Sequence, residues 1–277
     1  MNGPDLLTAH AGTLRTKVGA CWPGSRAVFR GHDLHQDLRN SDWMDLYIFG
    51  ITGRRFSPEQ IKLLHGIWVT TSYPDTRIWN NRVAGLAGNA RSTPVLGLSA
   101  ALAVSEARIY GGGPGLRAID FFLRAGTAVG SGGNLREFIG TELASGYIYG
   151  FGRPIDSRDE RLPWLGELAE SLGMGNGLHF KLAFAVEKML LDMGKPNLLM
   201  NFAGMTAALG ADLGFTPREF HLFRFPLFLA GMPPCWREAA EKPEGTLFPT
   251  PCADIAYEGV AKRRWERITD EPKKSSS

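Results

Sequence analysis

The chain has 277 residues, of which 44% are hydrophobic and 21% charged, and its formal net charge is +3. This composition is typical of a globular protein with room for one large core and a smaller lobe. The basic residues are scattered apart from Lys262-Arg263-Arg264, so no basic stripe indicates nucleic-acid binding. The longest apolar run, 95–104, is too short to span a bilayer, so no membrane association is expected.

The cysteines and histidines give no metal-binding pattern. Cys21, Cys235 and Cys252 lie far apart without C-x-x-C spacing, which is typical of reduced thiols in a cytoplasmic protein. His32 and His35 are three residues apart, but no third ligand lies nearby, so no metal site is expected. The N-terminus shows no apolar signal core. A cytoplasmic location is therefore expected.

The first half of the chain carries clear helix-start signals. Ser41 is a suitable N-cap for a helix that we expect to end at Gly50. Ser57-Pro58-Glu59-Gln60 is a capping box with Pro at the first helical position. A helix is expected at 77–88, and Thr93-Pro94 begins another that is apolar nearly all round. Such a helix is typical of the centre of a helical protein or of a subunit contact.

Helices also dominate the second half. They are expected at 116–125, 134–143, 160–172, 177–193, 198–209 and 216–229. Pro233-Pro234 is expected to end the last of these, and 243–260 is rich in Pro and Gly and should be extended. Strand-like alternation is nearly absent. The sequence therefore predicts an all-α protein of about a dozen helices, mostly one fold unit.

A glycine loop lies between two of the predicted helices. Gly150 and Gly152 bracket Phe151, and Arg153 and Pro154 follow at once. Glycine lets backbone N–H groups approach a ligand that a Cβ would keep away. Such a loop can hold the phosphates or the thioester arm of a large cofactor, or it can be only a turn.

Four segments carry recognisable motifs in a fixed order, and a fifth follows near the end. They are Phe29–Leu34 (FRGHDL), Arg82–Ala90 (RVAGLAGNA), Gly150–Gly152 (GFG), Lys195–Gly204 (KPNLLMNFAG) and Asp254–Tyr257 (DIAY). In this order the chain resembles the citrate synthase superfamily, including the citryl-CoA lyases and the C-terminal part of ATP-citrate lyase. The resemblance runs from about Val28 to Trp265.

The resemblance implies both an architecture and a chemistry. It implies a citrate-synthase-like large helical domain, 1–150 with 238–277, and a small helical lobe at about 151–237. It implies a homodimer with sites near the interface, and the apolar helix at 95–106 suits a buried contact. The family joins or splits a C–C bond beside a coenzyme A thioester, so the resemblance implies such a thioester as substrate or cosubstrate.

Several positions depart from the family pattern. The family's histidines fall at Ser72, Tyr110 and Arg153, its catalytic aspartate at Ala203, and a C-terminal arginine near Thr250. Alanine cannot accept a proton, so the usual base is missing. Either another group does this work, or the chain has lost the reaction.

Three residues are the candidates for a rebuilt catalytic set. Arg153 can stabilise an enolate or carboxylate, Tyr110 can donate a proton or hydrogen bond, and Asp75 is the best-placed spare carboxylate. Asp156 and His32 are further candidate bases. The structural alternatives stay open: Tyr110 can be a packed aromatic, Asp75 a turn residue, His32 a packed residue at a helix start, and Arg153 a surface partner of Asp156 or Asp159.

The binding candidates fall in two groups. By resemblance Arg224, Asn201 and Ser72 bind substrate, and Gly150, Phe151 and Gly152 bind the cofactor. Arg224 lies in an otherwise apolar helix, where a buried guanidinium needs a partner, either a ligand carboxylate or an internal Asp or Glu.

Three functions are compatible with this pattern. The first is an enzyme that makes or cleaves a C–C bond beside a coenzyme A or related acyl thioester. The second is an inactive citrate-synthase-like protein that binds coenzyme A esters or a protein partner. The third is a lyase or hydrolase acting on a carboxylated substrate that does not carry coenzyme A.

Overall fold

The structure, a computed structural model, describes residues 3–12, 14–154, 157–246 and 252–265. These residues form twelve α-helices and one small sheet. The helices are α1 Gly3–His10, α2 Trp43–Thr52, α3 Pro58–Thr71, α4 Trp79–Asn89, α5 Pro94–Ser105, α6 Gly112–Gly130, α7 Leu135–Ala144, α8 Leu162–Ser171, α9 Leu178–Asp192, α10 Phe202–Asp212, α11 Pro217–Arg224 and α12 Met232–Glu241. The predicted helical class is confirmed.

The sheet consists of three short antiparallel strands near the N-terminus. They are β1 (Gly19–Trp22), β2 (Arg26–Phe29) and β3 (His32–Asp33), in the order β1-β2-β3. Because none of these strands exceeds four residues, the sequence offers too little alternation to reveal them.

The capping boxes predict helix starts correctly. The Ser57 hydroxyl accepts the N–H of Gln60, whose side chain accepts the N–H of Ser57, and α3 begins there. Thr216 and Glu219 form the same reciprocal pair at the start of α11. These contacts satisfy N–H groups that have no partner within the helix.

The prediction for α2 is wrong by one residue at its start and by three at its end. Asp42 rather than Ser41 caps the helix, because its carboxylate accepts the N–H groups of Met44 and Asp45. The helix continues past Gly50 and ends at Gly53, which has a φ of 71°. A left-handed residue at a helix end is usually glycine, since it has no Cβ to clash.

Two further boundaries are also corrected. The helix expected at 116–125 begins earlier, at Gly112, so Gly112, Gly113 and Pro114 lie in the first turn of α6. Pro233 and Pro234 do not end α11; they lie in the first turn of α12, where no N–H is needed for a helical bond. The chain instead leaves α11 after Arg224 through a short 3₁₀ segment, Phe225–Phe228.

One large hydrophobic core joins most of the helices. It contains residues before and after position 150, such as Ile119 and Phe122 of α6 and Leu209 of α10. A smaller cluster around Ala84, Ala101 and Met232 joins α4, α5 and α12. The border between a large domain and a small lobe at 150/151 therefore stays a prediction.

Helix α5 is buried on one side only. Ala101 and Ser105 are buried, whereas Val95, Leu96 and Val104 are exposed. No helix in the described part of the chain is both long enough and apolar enough to cross a membrane.

Candidate functional site

The glycine loop packs directly against the segment that begins α10. The N–H of Gly152 donates to the carbonyl of Leu199 (2.7 Å), and the N–H of Asn201 donates to the carbonyl of Gly150 (3.0 Å). The Asn201 side chain caps α10 and donates from Nδ2 to the carbonyl of Gly152 (2.7 Å). Asn201 therefore holds the two loops together.

The glycines permit this close approach of two backbones. Gly150 has a φ of 98° and lies against Gly204, where a Cβ on either residue would overlap the other's backbone. Phe151 is only 6% exposed and packs on Phe121 and Phe122. Of the predicted cofactor-binding residues, Phe151 thus lies in the core.

Arg153 lies beside the glycine loop, where its guanidinium has several partners. Its side chain is 16% exposed and pairs with Glu160, with Nη1 to Oε2 at 3.1 Å. The same Nη1 donates to the carbonyl of Arg158 (2.8 Å), and Nε lies 4.0 Å from the Asp159 carboxylate. Arg153 therefore fixes the loop that follows it.

A polar cavity opens between these loops, and we call it the loop cavity. Its volume is about 350 Å³, and it is lined by Arg153, Pro154, Ser157, Arg158, Pro196, Asn197 and Leu199. Arg158 is exposed, and its guanidinium makes no ion pair with a described residue. Among the described residues that line this cavity, it is the cation without an ion-pair partner.

Asp159 and Arg161 form a buried pair next to the loop cavity. Arg161 donates to both carboxylate oxygens of Asp159, from Nε at 2.7 Å and from Nη2 at 2.6 Å. Asp159 also accepts the N–H of Phe202 at 2.9 Å. Burial raises the pKa of the Asp159 carboxyl, but these hydrogen bonds and the Arg161 charge outweigh burial and leave that pKa below its usual value.

Tyr73 and Tyr110 connect this pair to a second arginine. The Tyr73 hydroxyl donates to Glu160 (3.0 Å), and the Arg161 guanidinium lies 5.5 Å from the centre of the Tyr73 ring. Tyr110 stacks on Trp79 with ring centres 4.8 Å apart. Burial raises the pKa of Tyr110, and the positive charges of Arg161 and Arg224 oppose that rise.

Arg224, at the end of α11, is buried, and two of its three guanidinium nitrogens have no hydrogen-bond partner among the described residues. It is 4% exposed, and the two nitrogens are Nε and Nη1. The guanidinium lies on the first turns of α6, where Gly115 provides the space because a Cβ there would overlap Nη1. Burial, together with the nearby charge of Arg161, lowers the pKa of Arg224 to about 10, so it stays positively charged at neutral pH.

Arg224 borders a second cavity, which we call the arginine cavity. Its volume is about 330 Å³, and it is lined by Ser99, Leu102, Ala103, Ser105, Glu106, Gly112, His221, Arg224, Phe225 and Phe228. Within it, the Glu106 carboxylate pairs with His221, with Oε2 to Nε2 at 3.2 Å. A mostly apolar cavity with a few convergent polar groups is typical of a small-molecule site.

A larger cavity lies elsewhere, between the sheet and α2. It has a volume of about 610 Å³ and is lined almost entirely by apolar groups, such as Val28, Phe29 and Tyr47. None of the described side chains that line it is charged, so it offers no partner for a carboxylate or phosphate. No group of three metal-ligating side chains occurs among the described residues.

The remaining predicted site residues have local structural partners. Asp75 binds Arg77 through both carboxylate oxygens, and these hydrogen bonds lower its pKa to about 2. The Ser72 hydroxyl donates to the carbonyl of Trp68 (2.8 Å). His32 lies in β3 with its ring 5.6 Å from that of Phe49. Asp156 and Thr250 lie outside the described residues.

Sequence reasoning missed Arg158, Glu106 and His221, which line these cavities, and Arg161 beside them, and it named Asp159 only as a possible surface partner of Arg153. One signal was available for His221, since it precedes Arg224 by three residues and therefore shares its helix face. The others lie on loops, where only the fold shows what they contact.

No family model and no curated protein matches the chain. Several solved structures do match it. The citryl-CoA lyase of Hydrogenobacter thermophilus matches with a TM-score of 0.80 and 18% identity, over 91% of this chain and 97% of that one. The ATP citrate lyase of Methanosaeta concilii, solved with (3S)-citryl-CoA, matches with a TM-score of 0.70 and 20% identity over 94% of this chain.

The matches extend to a citrate synthase. The enzyme of Thermoplasma acidophilum, solved with carboxymethyl coenzyme A and oxaloacetate, matches with a TM-score of 0.64 and 19% identity over 82% of this chain. This chain spans 45% of the length of the ATP citrate lyase and 60% of that of the citrate synthase. The chain therefore has the fold of the citrate synthase superfamily, the fold that its sequence motifs predict.

Proposed function

We propose that this protein binds a coenzyme A thioester, or a related carboxylated acyl compound, and makes or cleaves a C–C bond beside the thioester. The observation that carries the proposal is the buried cation of Arg224. A buried charge without a partner is costly, and a ligand carboxylate would remove that cost. Proteins with this fold have been solved with citryl-CoA and with oxaloacetate, both of which carry carboxylates.

The loop cavity suits the phosphate-bearing part of such a ligand. Arg158 carries a guanidinium with no described ion-pair partner, and planar guanidinium groups bind phosphate with two hydrogen bonds. Arg153 also lines this cavity and adds positive charge to it, although its hydrogen bonds hold the loop. A series of contacts and charge interactions leads from this cavity to Arg224. It passes through Glu160, Tyr73, Arg161 and Tyr110.

The catalytic set must differ from the family's. Ala203 supplies no base, and Asp159 is already bound by Arg161 and by the Phe202 N–H. Asp75, with a pKa of about 2, is too weak a base for removing a proton next to a carbonyl. Tyr110 remains a hydrogen-bond donor, because its hydroxyl makes no hydrogen bond to a described residue.

A homodimer is part of the proposal. The exposed side of α5 carries Val95, Leu96 and Val104, and Leu222 and Phe225 are also exposed. Exposed apolar side chains along one helix suit a subunit contact. Because α5 lines the arginine cavity, a partner subunit at this face would lie close to the proposed carboxylate site.

The second candidate is an inactive protein that binds the same ligands. The observation that favours it is that Ala203 has no carboxylate and that Asp159, which accepts the neighbouring Phe202 N–H, is also bound by Arg161. The two functions differ in turnover rather than in ligand.

Isothermal titration with coenzyme A, acetyl-CoA and citryl-type acids, with products followed by mass spectrometry, tests the proposal. Micromolar binding with a new or cleaved acyl product is the expected result. Binding without product would favour the inactive protein, and no binding of any coenzyme A ester or citryl-type acid would overturn the proposal.

Arginine variants locate the ligand. Arg158→Ala should weaken coenzyme A binding by about 10-fold, the loss expected for one charged hydrogen bond. Arg153→Ala should weaken it too, and should also destabilise the loop that Arg153 holds. Arg237→Ala, which removes an exposed arginine paired with Glu241, is the matched control and should leave binding unchanged.

A further inference from the structure

We propose that a surface cavity between α6 and the segment before the glycine loop is a second binding site, which takes a nucleotide separate from the proposed thioester. We call it the tyrosine cavity. Its volume is about 440 Å³, and its walls include Arg108, Arg117, Tyr147 and Tyr149. Cavities of this size are typical of small-molecule sites. The inference goes beyond the proposed function, because it needs no ligand in the loop cavity or the arginine cavity.

Two arginines of the tyrosine cavity have no carboxylate partner among the described residues. Arg108, in the loop between α5 and α6, is exposed and makes no ion pair there. Arg117 of α6 is exposed as well, and its Nη1 donates to the Tyr149 hydroxyl (2.7 Å) rather than to a carboxylate. Guanidinium groups bind phosphate with two parallel hydrogen bonds. Arg108 and Arg117 are therefore the cations that would hold the phosphates.

The two carboxylates that also line the cavity are both bound by a third arginine. Arg124 donates from Nη1 and Nη2 to the two oxygens of Glu142 (2.6 and 3.0 Å) and from Nε to Asp120 (2.8 Å). Three arginines and two carboxylates leave the cavity with a net charge of +1. Because the carboxylates are held on Arg124, they do not compete with a ligand phosphate for the other two arginines.

Aromatic rings form the other part of the tyrosine cavity. Tyr147 is 70% exposed, and its ring centre lies 6.2 Å from that of Tyr149. The Arg117 guanidinium lies 5.0 Å from the centre of the Tyr149 ring. An exposed ring beside guanidinium groups suits a nucleobase, which stacks on the ring while the arginines bind the phosphates. Inorganic phosphate or a sugar phosphate would leave the Tyr147 ring uncovered, so a nucleotide is the ligand class that uses both parts.

The tyrosine cavity is separate from the loop cavity, since the two share no lining residue. Between Tyr149 and Arg153 the chain passes through Phe151, which is only 6% exposed. The Phe151 ring packs on Phe121, which is itself a wall residue of the tyrosine cavity. A nucleotide can therefore occupy the tyrosine cavity without contacting Arg158.

Isothermal titration with ATP, adenosine and tripolyphosphate tests the ligand class. The wild type should bind ATP with a Kd below about 1 mM. Adenosine and tripolyphosphate should each bind at least about 10-fold more weakly than ATP, because each supplies only one of the two parts. The absence of ATP binding, or equal affinities for tripolyphosphate and ATP, would overturn the assignment.

Exposed side chains allow the site to be changed with little effect on the fold. Arg108→Ala and Tyr147→Ala should each weaken ATP binding by about 10-fold, through loss of a charged hydrogen bond and of a stacked ring. Tyr147→Phe keeps the ring and should bind ATP as the wild type does. Arg237→Ala, which removes an exposed arginine paired with Glu241, is the control and should also bind ATP normally. Wild-type affinity in Tyr147→Ala, with an unchanged melting temperature, would contradict the proposal.

Arg158→Ala distinguishes this site from the proposed thioester site. ATP binding that persists in Arg158→Ala and is weakened in Arg108→Ala is the expected result. ATP binding that falls as much in Arg158→Ala as in Arg108→Ala would place ATP in the loop cavity and overturn this inference. A wild type that binds ATP but no coenzyme A ester or citryl-type acid would overturn the proposed function and support the nucleotide site.

Discussion

Arg161 and Arg224 are both held away from solvent near the same cavities, yet their surroundings differ. Arg161 binds both oxygens of Asp159, and although burial lowers its pKa, the Asp159 hydrogen bonds raise it above the usual value. Arg224 has no described partner for Nε or Nη1, and burial lowers its pKa to about 10. One arginine therefore has an ion-pair partner within the fold, whereas the other has none among the described residues for two of its nitrogens.

The two environments follow from local structure. Arg161 and Asp159 are two residues apart in the loop that leads into α8, so the pair forms within one short segment that also binds the Phe202 N–H. Arg224 ends α11 and lies on α6, whose N-terminal end is itself positive. A cation placed at a helix N-terminus gains no stability there, which favours a functional reason for its presence.

The largest expected effect is on the paired arginine. Arg161→Met removes the guanidinium that binds the Asp159 carboxylate, which is 0% exposed, and leaves it only Arg153 at 4.0 Å. We expect the free energy of unfolding to fall by about 3 to 5 kcal/mol, as when one partner of a buried pair is removed. Urea denaturation measures it. A loss below about 1 kcal/mol would contradict the structural role of the pair, and the double variant with Asp159→Asn should be less destabilised than the sum of the single changes.

Gly115→Ala tests how closely the unpaired arginine is packed. The added Cβ would overlap the Arg224 guanidinium, so the protein should lose about 1 to 3 kcal/mol of unfolding free energy through overpacking. Gly140→Ala in α7 is the matched control. It has no atom within 4 Å of the added Cβ, and it should stabilise the helix by roughly 1 kcal/mol. Equal changes in unfolding free energy for the two variants would show that Arg224 does not pack tightly against Gly115.

The pH dependence of the free energy of unfolding also tests the Asp159–Arg161 pair. The folded-state pKa of Asp159 is below its value in the unfolded chain, about 3.9. Its contribution is therefore fully present above pH 4 and is lost as the pH falls through the folded-state pKa. The stability of Asp159→Asn should decline less steeply than that of the wild type below pH 4, as measured by urea denaturation. Parallel declines would mean that the carboxyl titrates as in the unfolded chain.

The sequence predicts the fold better than the site. Capping boxes at Ser57 and Thr216 mark two helix starts correctly, because a cap needs only neighbouring residues. The proline pair at 233–234 misleads, since proline begins a helix as readily as it follows one. The family motifs predict the fold because they lie in the order that the fold requires.

The site depends on contacts that the sequence does not show. Arg224 was singled out as a cation in an apolar helix, and that signal is local. Two of the contacts join segments that are far apart in the chain. Asn201 links the glycine loop to the start of α10, and Glu106 lies next to His221. Gly150 and Gly152 were read as open to a ligand, whereas Gly150 in particular is used for backbone packing against Gly204.

The smallest expected change in stability carries the most information about function. Arg224→Met keeps the length of the side chain and removes a buried charge without a described partner, so the free energy of unfolding should rise by about 1 to 2 kcal/mol. The same variant should lose its response to malonate. In the wild type, malonate at 100 times its Kd should add about 2.7 kcal/mol, because it binds only the folded state. Thermal denaturation with and without malonate measures both effects. A variant that is less stable than the wild type and responds equally to malonate would show that the arginine serves the fold, as Arg161 does.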